Sequence, residues 1–292
     1  MNILVVGGTR YMGRHLVKEL IEKGHDVTIA TRGITPDDFG DRISRLIVDR
    51  TSAESIRQNI PNITYDCIID TIAFCSNDVI NLLDHVKCKR YVEVSTLSVY
   101  NELHVDMKEE ELDAKKLTLI HCNKDDFTYD IVKQQAECAI VRKYSHIPSA
   151  RVRFPLVIGT DDYTRRLYFY VDHIVHQKPM NMNTEESQMA FVRSDEAGKF
   201  LAFLAEQPFA GAINGASEQT FSMIEVADYV YLRSGKSPVV TTDGETAPFN
   251  NRFSDYSVNV NKAKALGFSF TPLREWIYEL LDSYIARAEA EA

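Results

Sequence analysis

The sequence predicts an α/β protein: a doubly wound parallel sheet followed by a smaller C-terminal α/β part. Three observations lead there. Short apolar runs alternate with helix-periodic segments from residue 2 to about residue 154. A glycine-rich turn, Gly7-Gly8-Thr9-Arg10-Tyr11-Met12-Gly13, joins the first apolar run to the first helical segment. The regular alternation then stops at Pro155.

Runs suited to strands buried on both faces are Asn2–Val6, Asp26–Thr31, Leu46–Asp49, Cys67–Thr71, Arg90–Ser95 and Ala150–Phe154. Helical patterns lie between them. In Gly13–Lys23, Leu16, Leu20 and Ile21 share a face and Gly24 can close the C-terminus. Ser76–Val86 and Phe127–Tyr144 are the next two, and such alternation implies right-handed crossovers. After residue 155 the signals are local. Ser222 and Glu225 form a capping box for a helix over Met223–Ser234, and Thr271 with Pro272 opens a terminal helix through Trp276, Leu280 and Leu281. Short strands are expected at Met189–Val192, Ala212–Gly215 and Val239–Thr242. The boundaries that follow are 1–155 for the first domain and 156–292 for the second, with segments near 188–206 returning to the first. The charged stretch Asp106–Lys116 reads as a solvated insertion.

Composition narrows the function. The 292 residues are 45% hydrophobic and 26% charged, an ordinary globular balance, and a net charge of −9 disfavours non-specific attraction to nucleic acid or anionic membrane. No apolar run approaches a membrane span, and Met1 leads directly into a strand, so a cytoplasmic protein is expected. Five cysteines without a C-x-x-C pair read as reduced thiols; no metal site is expected, His173 and His176 lacking a clear further ligand.

The turn at residues 7–13 gives its glycines a physical task. Gly7 permits a tight turn, Gly13 lets the helix pack closely, and the backbone N–H groups of Thr9 to Gly13 face a pyrophosphate at the helix N-terminus. Here the sequence resembles the short-chain dehydrogenase/reductase superfamily, in its extended or atypical, NAD-dependent epimerase/dehydratase-like branch. That resemblance implies a Rossmann-type sheet with residues 7–13 on a dinucleotide. Arg10 stands where the family has its middle glycine.

Tyr129 and Lys133 form the only Y-x-x-x-K of the chain, and i,i+4 spacing stacks them on one helix face. The preceding strand ends Ser95-Thr96-Leu97-Ser98-Val99-Tyr100, which resembles the family's S-[ST]-x-x-V-Y segment. The resemblance implies Thr96, Tyr129 and Lys133 as catalytic residues. Tyrosine, with a pKa near 10, is a poor base at neutrality until a neighbouring ammonium stabilises its phenolate. By resemblance Lys133 also binds the nicotinamide ribose and Thr96 holds the reacting oxygen. The alternative is a helix-face tyrosine with Lys133 snorkelling beside it.

Further matches are Glu137 in Y-x-x-x-K-x-x-x-E, which reads equally as a solvated partner of Lys133; Asp49 at the third strand's end, where the family contacts adenine; Arg153 to Gly159, similar to R-P-x-x-V-Y-G; and Asn261 to Trp276, similar to a stretch of nucleotide-sugar enzymes. The family's dehydratases carry Asp-Glu after the catalytic Thr. Leu97-Ser98 stand here, which argues against a 4,6-dehydratase. Residues 101–128 form an unusually charged insertion.

For the substrate, Arg165 and Arg166 among Tyr163, Tyr168, Phe169 and Tyr170 offer a diphosphate clamp with aromatic faces, or an amphipathic helix with core aromatics; Arg252 is a further phosphate candidate. The second strand ends Ala30-Thr31-Arg32-Gly33 with no acid until Asp37, so Arg32, with Arg10, favours the 2′-phosphate of NADP over NAD. The expected activity is NAD(P)-dependent oxidoreduction or epimerisation of a nucleotide sugar or similar hydroxyl or ketone. A non-catalytic dinucleotide sensor and an RNA-binding relative are the alternatives, the former favoured if the catalytic geometry is broken or the insertion fills the pocket. Pairing of two copies through Phe127–Tyr144, whose Ile131, Ala139 and Ile140 share an apolar face, would give a homodimer; the same face would also suit a core.

Overall fold

The structure, a computed structural model, describes residues 1–183, 186–249 and 254–291. Its frame is one seven-stranded sheet of β1 (Asn2–Val6), β2 (Asp26–Thr31), β3 (Ser44–Ile47), β4 (Cys67–Asp70), β5 (Tyr91–Thr96), β6 (Ser149–Phe154) and β7 (Gly211–Asn214). The order is β7-β6-β5-β4-β1-β2-β3 and every pair is parallel. The order reverses between β1 and β4, and the carboxyl ends of the strands at such a switch point form the natural ligand crevice. β1, β2 and β7 lie where their apolar runs place them, β7 within one residue. β3 begins two residues before the expected Leu46, because an edge strand held by β2 on one side tolerates Ser44 and Arg45.

Helices α1 (Tyr11–Glu22), α2 (Ala53–Asn59), α3 (Ser76–Leu83) and α4 (Tyr129–Lys143) cover the sheet. The second half supplies α5 (Arg166–His176), α6 (Ser194–Glu206), α7 (Met223–Ser234), α8 (Asn261–Ala265) and α9 (Leu273–Ala290). α6 returns to the sheet and lies on α1 so closely that a Cβ at Gly198 would meet the Leu16 nitrogen at 2.6 Å. α7 carries the expected reciprocal Ser222–Glu225 cap. α9 departs from expectation: Pro272 is its cap, because the Thr271 hydroxyl donates to Glu196 Oε1 at 2.7 Å instead. The strand expected at Met189–Val192 is Phe191–Arg193, with Met189 bridging Phe221, and that at Val239–Thr242 shortens to Val239–Val240. No helix of the described residues is long and apolar enough to cross a membrane.

The 101–128 segment is not a solvated insertion. Met107, Leu112 and Ala114 are buried, Met107 bridges Val258, and the Glu109 carboxylate accepts from the Asn214 nitrogen at 2.9 Å. Its charges lie mainly on the outer side while every few residues an apolar group turns inward, a pattern that charge density conceals. The same segment lies along α4: the Ile120 nitrogen donates to Gln135 Oε1 at 2.7 Å, and Arg142 donates to the Lys115 carbonyl. Ala139 and Ile140 of the expected pairing face lie in the chain's own core, packed with residues of the sheet and α3, and only Ile131 of the three stays exposed.

Candidate active site

Glycines shape the turn between β1 and α1. Gly7 and Gly8 adopt φ of +98° and +99°, and a Cβ would lie 2.3 Å from Thr71 Oγ1 at the first and 2.9 Å from a Val17 methyl at the second. Gly13 packs its α-carbon side against Gly8. Above the turn opens a cleft of about 780 Å³. Every residue from Gly7 to Gly13 lines it, as do Arg32 and Asp49. Residues 7–13, Arg32 and Asp49 thus converge on one surface, and a turn with no room for side chains at Gly7 and Gly8 fits a dinucleotide whose diphosphate approaches backbone N–H groups.

Details differ from expectation. Asp49 does not close β3; it lies two residues past the strand, accepting from the Thr51 hydroxyl and nitrogen, bonds that hold its carboxyl below the ordinary range. Arg32 forms no ion pair among the described residues. The Arg10 guanidinium sits over the Tyr163 ring, 5.7 Å from its centroid. The Tyr11 hydroxyl is buried without a partner, and burial pushes its pKa up, so it carries no proton traffic near neutrality.

Two of the expected catalytic residues, Tyr129 and Lys133, meet at a residue that the sequence did not mark. Phe74 lines the cleft. Tyr129, in the first turn of α4 and 49% exposed, meets its ring edge-on at 6.4 Å, and Lys133 Nζ is 5.6 Å from the ring centroid. Lys133 is buried and donates to the Ala73 and Val94 carbonyls at 2.7 and 2.6 Å, leaving one of its three protons for other acceptors. Thr96 ends β5, where its Oγ1 accepts from the Ser98 nitrogen at 3.2 Å. None of the three lines the cleft itself; Phe74 joins Tyr129 and Lys133 to it.

A buried ion network fixes Phe74. Arg50 donates both terminal nitrogens to Asp70, at 2.9 and 3.0 Å, and one of them to the Asp78 carbonyl. Tyr91 donates to the same Asp70 carboxylate. Asp70 Oδ1 accepts from the Ile72 nitrogen and Asp78 Oδ2 from the Phe74 nitrogen, so the strand-end segment is pinned from below. Asp70 and Glu93 were visible in sequence as acids inside apolar runs; nothing in sequence marked Phe74.

Glu137 is fully buried, not solvated, and belongs to Arg153 and Ser95. Burial raises its pKa, but Arg153 and Arg151 outweigh that and keep it low. Glu93 has no hydrogen-bond partner, and burial, only partly offset by Lys133, lifts its carboxyl to about 8.

The substrate candidates scatter. Arg165 stacks over Tyr168, and Arg166 donates to Thr164 Oγ1; neither lines the cleft. Tyr168 and Tyr170 are core residues, whereas Tyr163 lines the cleft. His173 stacks on Phe169 with ring centroids 3.7 Å apart. Arg252 lies outside the described residues. Asn123 to Asp125 of the insertion wall the cleft without filling it, so that condition for a non-catalytic sensor is not met.

Sheet order, glycine turn and cleft define a Rossmann-type protein with a dinucleotide-shaped site at its switch point. The chain belongs to the NAD dependent epimerase/dehydratase family, whose profile matches residues 3–217, and hence to a family of enzymes. Among solved structures it is similar to the Thermotoga maritima UDP-glucose 4-epimerase with UDP-glucose, at 16% identity, covering 98% of this chain and 99% of that one with a TM-score of 0.76. It is also similar to the Bacillus cereus UDP-glucuronic acid 4-epimerase in complex with UDP-glucuronic acid and NAD, at 17% identity, 100% of both chains and a TM-score of 0.73. The Bacillus anthracis dTDP-glucose 4,6-dehydratase in complex with NAD gives 15% identity, 99% and 98% coverage and a TM-score of 0.75. A curated relative, the chloroplast stem-loop binding protein of 41 kDa b of Arabidopsis thaliana, is 29% identical over 112 residues, 34% of this chain; the match spans 30% of the relative's length.

Proposed function

We propose that the protein transfers hydride between a nicotinamide dinucleotide and a hydroxyl or ketone of a nucleotide-linked sugar or similar small molecule, as an epimerase or reductase. The observation that carries this reading is the grouping of Tyr129 and Lys133 around Phe74, a wall residue of the glycine-turned cleft, with Thr96 at the end of β5. The bound nicotinamide supplies the hydride acceptor or donor. The chain's own residues handle the proton. Tyr129, half exposed and reachable, takes the proton of the substrate hydroxyl or returns it. The Lys133 ammonium, oriented by two carbonyls, has one N–H left to hold the nicotinamide ribose. The Thr96 hydroxyl holds the reacting oxygen. Leu97 and Ser98 provide no carboxylate for eliminating water, which argues against 4,6-dehydration.

Residues 7–13 and Asp49 hold the dinucleotide on this reading, and unpaired Arg32 with Arg10 favours NADP. Five free cysteines suit a cytoplasmic protein. The test is incubation with NADP or NAD and a panel of UDP- and dTDP-sugars, following nicotinamide absorbance and the sugar's stereochemistry by NMR. Conversion that depends on Tyr129 supports the reading; none across the panel, with dinucleotide bound, opposes it.

Stem-loop RNA binding is a second reading, favoured by the Arabidopsis relative and opposed by the net charge of −9. Filter binding of a stem-loop RNA at physiological salt separates the two.

A further inference from the structure

The turn at residues 159–165 belongs to the second half of the chain yet is tied to the first. Asp161 Oδ2 lies 3.0 Å from His15 Nε2 on α1, and Asp161 Oδ1 accepts from the Ser194 hydroxyl on α6 at 2.6 Å. The Gly159 carbonyl accepts from the Tyr284 hydroxyl of α9 at 2.7 Å. Three helices thus anchor a turn whose tip is Tyr163. That ring is 63% exposed, an unusual state for a large aromatic, and it lines the cleft. It meets Tyr11 edge-on, with centroids 5.9 Å apart and planes at 79°, and the Arg10 guanidinium covers its face. Arg10 has no carboxylate partner among the described residues, so its charge is available to an anion.

We propose that Tyr163 is a dinucleotide-binding residue: its ring backs the Arg10 guanidinium and holds it toward a phosphate of the dinucleotide, so that the second half of the chain slows release of the cofactor. This rests on the dinucleotide reading above. An arginine on a flexible stem loses much of its attraction to the cost of ordering; a ring stacked behind it removes part of that cost and leaves the outer edge of the fork for phosphate oxygens. The anchors at Asp161 keep the ring in place before the ligand arrives.

The test is the dissociation rate of the dinucleotide from the full chain, followed by stopped-flow fluorescence on displacement, for wild type, Tyr163→Phe and Tyr163→Ala. Tyr163 is exposed, so both variants keep the core intact. Release about tenfold faster from Tyr163→Ala, with Tyr163→Phe within about twofold of wild type, is expected when the ring is the active part. Unchanged release from Tyr163→Ala overturns this inference and leaves the dinucleotide reading standing. Release from Tyr163→Phe as fast as from Tyr163→Ala also overturns it, since the ring would then not be the holding group. A wild-type chain that binds neither NAD nor NADP overturns both.

Discussion

Arg153 and Glu137 form a fork-on-fork ion pair with no exposure to solvent: Nε meets Oε1 at 2.9 Å and Nη2 meets Oε2 at 2.8 Å. The Ser95 hydroxyl donates to the same carboxylate, and two further guanidinium N–H groups donate to the Glu109 and Leu112 carbonyls. One pair therefore joins α4, β5, β6 and the 101–128 segment.

Removing one partner of such a pair strands a buried charge. Glu137→Gln is expected to cost about 3–5 kcal/mol of stability, measured by denaturant titration. A loss under about 1 kcal/mol would show that the pair does not hold the segment.

Glu93 gives stability a pH dependence. Its folded-state pKa, about 8, lies above the unfolded value near 4.3, so the proton is held by the native state. The contribution is complete below about pH 4.3 and fades as pH rises through 8. Wild type is expected to lose stability on the order of 3 kcal/mol between pH 5 and pH 8.5, and Glu93→Gln, which cannot ionise, to lose much less. Parallel melting-temperature profiles for the two proteins would refute this.

Tyr129→Phe removes a hydroxyl from an exposed ring and leaves the edge contact with Phe74. Dinucleotide affinity is expected to stay within about twofold while turnover falls about 100-fold. Wild-type turnover in the variant would take Tyr129 out of the mechanism.

Much of this was legible in sequence, and the failures have physical causes. β1 and β2 are apolar runs bounded by turns, and α7 carries its own cap, so local signals sufficed. β3 is a polar edge strand whose bounds depend on β2. Residues 106–116 misled because charge density says nothing of the inward Met107 and Leu112. Glu137 looked solvated because its partner Arg153 is sixteen residues away, on another element. Phe74 and Tyr163 reach the site only through the fold: one is pinned by Arg50 and its two aspartates, the other carried in by a turn that Asp161 anchors.

On the proposed reading, cofactor preference turns on Arg32. Charge-assisted contacts to a 2′-phosphate at roughly 1.5–3 kcal/mol each would favour NADP by about tenfold or more. Arg32→Ala is expected to bring the two affinities together, and an unchanged ratio would assign the preference elsewhere.

Titration of the cofactor-free protein with NAD and NADP, followed by intrinsic fluorescence or calorimetry, tests the central claim most directly. The account predicts saturable one-to-one binding of nicotinamide dinucleotide in the glycine-turned cleft, with NADP the tighter ligand. Absence of saturable binding of either dinucleotide to the folded chain would contradict it.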